Sequence, residues 1–228
     1  MLTVHHLQAS QSERIPWLCE ELGIDYDIKL HRRSPLFSPP EMYELHPLGA
    51  APIIQDGPVT LAESNACVEY IVQKHGKGRL FLPPSHKDYA TFLYWYHFAN
   101  GSLQPGMSRV MTMKAAKVDE DTDSFKFANR RLQSYLRHLD EHLATNTWMV
   151  GDEFTAADIM PMFTLTTFRA FVPIDLGEYK HILAFIRRCV ERPGYQRYRQ
   201  MADPDCPDCT QAAPPPAFLT WKKKPSSM

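Results

Sequence analysis

Pro52-Ile53-Ile54-Gln55-Asp56-Gly57-Pro58-Val59-Thr60-Leu61 decides the fold. Two short runs of strand formers flank Asp56-Gly57, a dipeptide that tolerates the left-handed conformation of a tight hairpin. Upstream, Leu2-Thr3-Val4-His5-His6-Leu7 reads as a strand. From Ile15 onward apolar residues recur at helical spacing (Ile15, Leu18, Cys19, Leu22), and Gly23 closes the pattern as a C-cap. Tyr26 to Leu30 alternates like a second strand, and Pro35, Pro39 and Pro40 mark a loop. Glu41 to Leu45 reads as a short helix stopped by Pro47 and Gly49. Beyond the hairpin a helix is expected from about Glu63 to Lys74, with Ala66, Cys67, Tyr70 and Ile71 on one face. The order β-α-β-α-β-β-α follows. A hairpin closing a βαβ unit gives a mixed sheet with helices on its faces.

Composition then changes. His75-Gly76-Lys77-Gly78 and Pro83-Pro84 read as an interdomain linker over residues 77–86. Beyond it the periodicity is helical only, at about 87–113, 124–145, 155–172 and 179–191. The fold class is thus an α/β domain over residues 1–76 followed by an all-α domain over 87–202. Residues 203–228 lose periodicity and read as a mobile or loosely docked tail. Thr155-Ala156-Ala157-Asp158 has the form of a capping box, with Phe154 and Ile159 placed for a hydrophobic staple.

Lys plus Arg is 25 against 26 Asp plus Glu, a net charge of -1, so nucleic acid is a poor expectation as partner. No run of about 18 apolar residues exists, so no membrane span is expected. MLTVHHLQAS lacks the charged and apolar regions of a secretory signal. The five cysteines, Cys19, Cys67, Cys189, Cys206 and Cys209, do not form a disulfide framework, and a reducing, cytoplasmic compartment fits them. The last residues, Ser226-Ser227-Met228, match no standard retention or peroxisomal address. Cys206-Pro207-Asp208-Cys209 has CxxC form but lies in the polar tail, so no metal site is expected. Lys222-Lys223-Lys224 is too short a run to define a nucleic-acid or membrane site.

Three places carry chemistry. Ser10 stands where a strand yields to a helix, near unpaired N–H groups and the positive end of the helix dipole, a setting that suits an anion such as a thiolate. It also reads as a plain N-cap, and Ser12 competes for that position. Ala51-Pro52 opens a strand; a cis bond there would turn the backbone of Ala51 outward, although only about 5–6% of X–Pro bonds are cis. Glu63-Ser64 opens a helix directly after a strand and reads either as ordinary capping or as a site for a carboxylate or phosphate.

These stretches, taken together, resemble the glutathione transferases, in particular the bacterial and fungal, yeast-like branch. The resemblance is carried by Val4-His5-His6-Leu7, Ser10-Gln11-Ser12-Glu13-Arg14-Ile15 and Glu20-Glu21-Leu22-Gly23-Ile24-Asp25-Tyr26. It continues through His46-Pro47-Leu48-Gly49-Ala50-Ala51-Pro52-Ile53-Ile54 and Thr60-Leu61-Ala62-Glu63-Ser64-Asn65-Ala66. In the second domain Gly101-Ser102-Leu103-Gln104-Pro105 and Gly151-Asp152-Glu153-Phe154-Thr155-Ala156-Ala157-Asp158-Ile159 match as well. It spans about residues 1–200. What the resemblance implies is a thioredoxin-like first domain, a homodimer, and glutathione as substrate with a small electrophile and no metal. Ser10 would activate the thiol, with Ser12 its rival. Ala51 and Pro52 would present backbone to the cysteinyl part of glutathione, and Glu63 and Ser64 would hold its γ-glutamyl end. Reduction of disulfides or peroxides, or a non-catalytic regulatory role, are the alternatives. Two departures stand out: Ala50 replaces a usual Lys or Gln, and Gln11 replaces the Arg of a Ser-Arg-Ser loop. The aromatic stretch Tyr89, Phe92, Leu93, Tyr96 and His97 reads as helix packing with an edge that could face the electrophile.

Overall fold

The computed structural model describes residues 1–221; the lysine run at 222–224 and the terminal residues 226–228 lie outside the described residues. Strand β1 (Leu2–Leu7) is followed by a 3-10 turn (Gln11–Glu13) and helix α1 (Arg14–Leu22), then β2 (Asp27–His31) and α2 (Glu41–Leu45). The hairpin is β3 (Ile53–Asp56) and β4 (Val59–Ala62), and α3 (Ser64–Lys74) completes the first domain. The sheet order is β2-β1-β3-β4, with β1 parallel to β2 and antiparallel to β3. Asp56 pairs with Val59 across the turn. Gly23 ends α1 at φ 61, a left-handed cap that lets its N–H reach the carbonyls of Cys19 and Glu20.

The second domain contains α4 (Tyr89–Phe98), a π turn (Ala99–Leu103), α5 (Gln104–Ala115) and α6 (Asp123–Leu143). It continues through α7 (Ala156–Leu165), a 3-10 turn (Thr167–Ala170), α8 (Lys180–Val190) and α9 (Pro193–Ala202). The helix expected over 87–113 is therefore interrupted. Pro105 has no N–H to offer the carbonyl of Gly101, and the Gln104 N–H bonds instead to the carbonyl of Ala99, a π register. The helix expected over 155–172 stops at Leu165, where the Thr166 hydroxyl donates back to the Met162 carbonyl at 2.6 Å. Helix α9 lies beyond the last expected element. Pro193 stands in its first turn, where a missing N–H costs nothing.

The capping box at α7 is present in full. Thr155 accepts from Ala157 N, and Asp158 accepts from Thr155 N at 2.8 Å and from Met149 N at 2.7 Å. Phe154 packs on Trp17 and Trp148 and under the Arg192 guanidinium.

Helix α1 is buried between the sheet and the second domain. Trp17 meets Tyr195 edge-on and stacks with Tyr198, both on α9. At the rim Arg192 makes a two-pronged ion pair with Glu21 at 2.7 and 2.9 Å. The two domains thus share one apolar core that fixes α1, and with it the residues just before α1.

The segment after α9 is bound more firmly than its lack of periodicity suggests. Arg169, fully buried, donates to the carbonyls of Gln211, Ala212 and Ala213, and the Leu176 N–H bonds to Ala212. A polar chain without helix or strand satisfies its carbonyls this way. Among the described residues no helix is long and apolar enough to cross a membrane.

Candidate functional site

The first turn of the chain after β1 is shaped by a strained backbone. Ala9 has φ 50, a left-handed conformation that costs a residue with a side chain of order 1 kcal/mol or more. Arg33 holds the bend by donating to the carbonyls of Gln8 and Ala9, at 2.9 and 3.1 Å. Ser10 follows in extended conformation, and its Oγ accepts the N–H of Ser12 at 3.2 Å. It is a helix cap, and it lies at the edge of the core with 4% of its surface exposed.

Ser12 is placed differently. Its Oγ accepts the Leu7 N–H at 3.0 Å and contacts Ser10 Oγ at 2.7 Å and His6 Nδ1 at 2.9 Å, with no exposed surface. His6 in turn contacts Asp203 Oδ2 through Nε2 at 2.8 Å.

The Ala51–Pro52 bond is cis, at the head of β3, and both residues are buried. The Ala51 carbonyl accepts from Gln11 Nε2 at 3.1 Å, so the position that departs from the usual Arg reaches across to the cis bond. Ala50, the second departure, is exposed beside it. Glu63 is exposed and has φ 70, and Ser64 behind it is buried at the start of α3. A non-glycine residue in that region is a strain of order 1–3 kcal/mol, of the kind that collects at binding sites.

Arg14 joins these pieces. It is fully buried, and among the described residues no carboxylate forms an ion pair with it. Its Nη1 donates to Gln11 Oε1 (3.1 Å), Ser64 Oγ (2.9 Å) and Asn100 Oδ1 (2.9 Å), its Nη2 to Gln104 Oε1 (2.8 Å), and its Nε to the Met160 carbonyl (2.8 Å). Burial lowers its pKa to about 10, partly offset by the charge of Glu13, so the guanidinium stays charged at neutral pH. Asn100, on the π turn, also donates to Ser64 Oγ at 2.9 Å. Asn65 Nδ2 is buried there with no hydrogen-bond partner among the described residues. The three motifs, spread over residues 10–64, therefore meet in one hydrogen-bonded cluster.

Beside this cluster an apolar cleft of about 550 Å³ opens between Phe37 and Leu36 of the first domain, Met111, Phe163 and Phe168 of the second, and Leu219 of the segment after α9. Phe163 lies under the Arg14 guanidinium, 5.9 Å from it, and Arg33 lines the other wall. The aromatic face of α4 does not line this cleft. Tyr89, Phe92, Tyr96 and His97 line a separate groove with α3 and the linker, and only the Tyr96 hydroxyl reaches the cluster, donating to the Asn65 carbonyl. Cys206 and Cys209 have their sulfurs 3.9 Å apart in the docked segment, outside the cluster.

Arg14 and His6 were visible in the sequence only as parts of matching stretches. Their roles as hubs depend on Asn100, Gln104, Met160 and Asp203, whose distance along the chain gives no local signal.

Residues 10–74 match the family profile described as glutathione S-transferase, N-terminal domain, and residues 98–193 match that of the C-terminal domain. The chain is 31% identical over 208 residues to glutathione S-transferase 3 of Schizosaccharomyces pombe, covering 85% of this chain and 84% of that protein. It is 27% identical over 219 residues to a disulfide-bond oxidoreductase of Escherichia coli, covering 87% of this chain and 74% of that protein. Its structure is similar to a glutathione S-transferase of Actinobacillus pleuropneumoniae, with TM-score 0.81 and 29% identity over 89% of this chain and 93% of that one. A glutathione transferase of Phanerochaete chrysosporium, solved in complex with oxidized glutathione, shares the fold at TM-score 0.71 and 20% identity, over 88% of this chain and 95% of that one.

Proposed function

The chain belongs to the glutathione transferase family, and from that premise we propose that it binds glutathione over the Ser10, Ala51 and Ser64 cluster and transfers its thiolate to a small electrophile in the apolar cleft. The observation that carries this reading is the convergence of the three motifs around Arg14. The γ-glutamyl carboxylate would take the hydroxyl and N–H groups at Ser64, where the start of α3 favours an anion. The cysteinyl backbone would meet Ala51, with the Gln11 amide yielding the carbonyl it now holds. Ser10, the less deeply buried of the two hydroxyls, would donate to the sulfur; Ser12, with no exposed surface, would support Ser10 without touching the ligand.

The energetics are adequate. A free thiol has a pKa of about 8.5, and lowering it by about two units needs roughly 2.7 kcal/mol. One charge-assisted hydrogen bond of about 1.5–3 kcal/mol, with a helix terminus behind it, supplies that. A small electrophile would be held by Phe37, Phe163 and Phe168. The family likeness also supports a homodimer, a cytoplasmic location and no metal requirement.

The test is Ser10→Ala, followed by titration of glutathione bound at saturation through its thiolate absorbance. The bound thiol pKa should rise, and kcat/KM at neutral pH should fall roughly 10- to 150-fold. An unchanged titration overturns the assignment to Ser10. A second reading, reduction of glutathione mixed disulfides, is supported by the likeness to the Escherichia coli oxidoreductase. There the same thiolate attacks a sulfur and releases the other sulfur as thiolate, so turnover of a mixed disulfide against a carbon electrophile separates the two.

A further inference from the structure

Behind Ser10 runs an unbroken hydrogen-bonded chain. Asp203 Oδ2 to His6 Nε2 is 2.8 Å, His6 Nδ1 to Ser12 Oγ is 2.9 Å, and Ser12 Oγ to Ser10 Oγ is 2.7 Å. None of these four residues exceeds 4% exposure. Buried this deeply, the four side chains satisfy one another's hydrogen bonds.

With His6 neutral, one arrangement of protons runs through the whole chain, and it sets the Ser12 hydroxyl toward His6 at 2.9 Å rather than toward the Leu7 carbonyl at 3.3 Å. Burial disfavours the ionised form of Asp203, while the hydrogen bond from His6 Nε2 at 2.8 Å, the charge of Arg199 and the Ala9 N–H favour it. An ionised carboxylate only accepts, so His6 Nε2 carries a proton. In the neutral imidazole Nδ1 is then a bare acceptor and receives the Ser12 hydroxyl proton. Ser12 Oγ, already accepting the Leu7 N–H, accepts its second bond from Ser10. Every proton in this arrangement points inward, and Ser10 Oγ keeps one lone pair beyond those used by Ser12.

We propose that His6 receives the proton of the glutathione thiol through Ser10 and Ser12, with Asp203 stabilising the imidazolium that results. The proposal rests on the reading that Ser10 meets the sulfur. The thiol S–H bond breaks as its proton goes to Ser10 Oγ. The former Ser10 proton passes to Ser12 Oγ, and the former Ser12 proton passes to His6 Nδ1. The balance is one thiol and one imidazole consumed, one thiolate and one imidazolium formed, with both serines again neutral hydroxyls. In the product arrangement His6 Nδ1 donates to Ser12, Ser12 donates to Ser10, and the Ser10 hydroxyl points outward at the thiolate. The transfer itself creates the donor that the thiolate needs. A lone serine would have to turn its proton away from Ser12 and leave that buried oxygen short of a partner.

His6 and Asp203 act through the serines and are positioning residues. The ionisable groups around them are Glu13 on the 3-10 turn, which feels the charge of His6, Arg33, which feels the charge of Asp203, and Tyr198 and Arg199 on α9, which face both Glu13 and Asp203. Glu13 is the competing proton acceptor: burial is the main cause that raises its pKa to about 7, and its Oε2 accepts the Thr167 hydroxyl at 2.8 Å.

The experiment counts protons. Glutathione is titrated into the whole protein at neutral pH in buffers of different ionisation enthalpy, and thiolate absorbance is recorded on the same samples. The wild type should form thiolate without releasing the thiol proton to buffer. His6→Gln, which keeps a polar side chain near the same size, should form at least tenfold less thiolate at neutral pH, and what forms at higher pH should release one proton per thiolate. Asp203→Asn should shift both readouts the same way, and it serves if His6→Gln does not fold. Glu13→Gln should leave the proton count unchanged. Release of one proton per thiolate by the wild type would overturn the proposal. So would a wild-type count and titration in both His6→Gln and Asp203→Asn, or a changed count in Glu13→Gln alone. If Ser10→Ala removes the thiolate while those variants behave as wild type, Ser10 keeps its role and the relay is wrong. If Ser10→Ala changes nothing, the underlying reading fails first.

Discussion

Replacing Arg14 by methionine tests whether one buried cation holds the site and the two domains together. Methionine keeps the length and apolar stem of the side chain and removes every donor. The wild-type guanidinium reaches five acceptors on four separate stretches of chain: Gln11, Ser64, the π turn with Gln104, and α7. Hydrogen bonds to a charged group contribute about 1.5–3 kcal/mol each, and the desolvation of the cation, several kcal/mol, opposes them. Some acceptors keep another partner in the variant. Gln11 Oε1 still accepts from Gln104 Nε2 at 3.0 Å, and Ser64 Oγ still accepts from Asn100 Nδ2. Among the described residues Asn100 Oδ1 has no such replacement. The net loss should fall at about 3–5 kcal/mol, the range for breaking one side of a buried charged cluster. Arg14→Lys should lose less, because an ammonium supplies three donors without the planar fork. Urea unfolding, with equal m-values checked across variants and at several protein concentrations, gives the difference. Calorimetric titration with glutathione should show weakened binding in parallel, since Ser64 and Gln11 lose a common support. A methionine variant within 1 kcal/mol of wild type, binding glutathione as tightly, would refute the view that Arg14 organises the cluster.

Asp158→Ala should cost about 3 kcal/mol in urea unfolding, because it breaks the capping box of α7 and leaves the N–H groups of Met149 and Thr155 buried without their acceptor; a loss below 1 kcal/mol would mean water enters to replace the carboxylate. Glu13→Gln should change the pH dependence of stability. Burial raises the folded-state pKa of Glu13 from 4.5 to about 7, so the folded protein holds this proton more tightly, and the stability it contributes at acid pH is lost as pH rises through about 7. Between pH 5 and pH 8 the wild type should therefore lose about 2–3 kcal/mol relative to Glu13→Gln; parallel curves would show that Glu13 ionises normally. The Ser10→Ala titration and the proton count on His6→Gln and Asp203→Asn complete the set.

The sequence by itself determined whatever is local. Strand formers in β1, period two in β2, period 3.6 in α1 and α6, Asp56-Gly57 at the hairpin, Gly23 as a C-cap and the Thr155 box are all set by residues within one or two turns of each other. Backbone sterics and short-range hydrogen bonds act at that range, so the pattern survives reading one residue at a time. The family likeness came from the order and spacing of such stretches, and so placed Ser10, Ala51 and Glu63 on the same domain. Tertiary structure alone decided which polar side chains meet. Nothing near His6 announces Asp203, 197 positions away, because that contact exists only once α9 has packed on Trp17 and brought the following segment back to β1. The π turn also needed the fold. Pro105 says that one helical bond is missing, but the choice between a kink, a break and a π register depends on what Asn100 can gain, and its partners Arg14 and Ser64 lie in the other domain. Alternation and amphipathicity tell which side chains leave water. For an apolar side chain that is nearly sufficient, since any apolar neighbour will do. For a buried serine, histidine or arginine it is not, because each must find a directed partner, and packing supplies it.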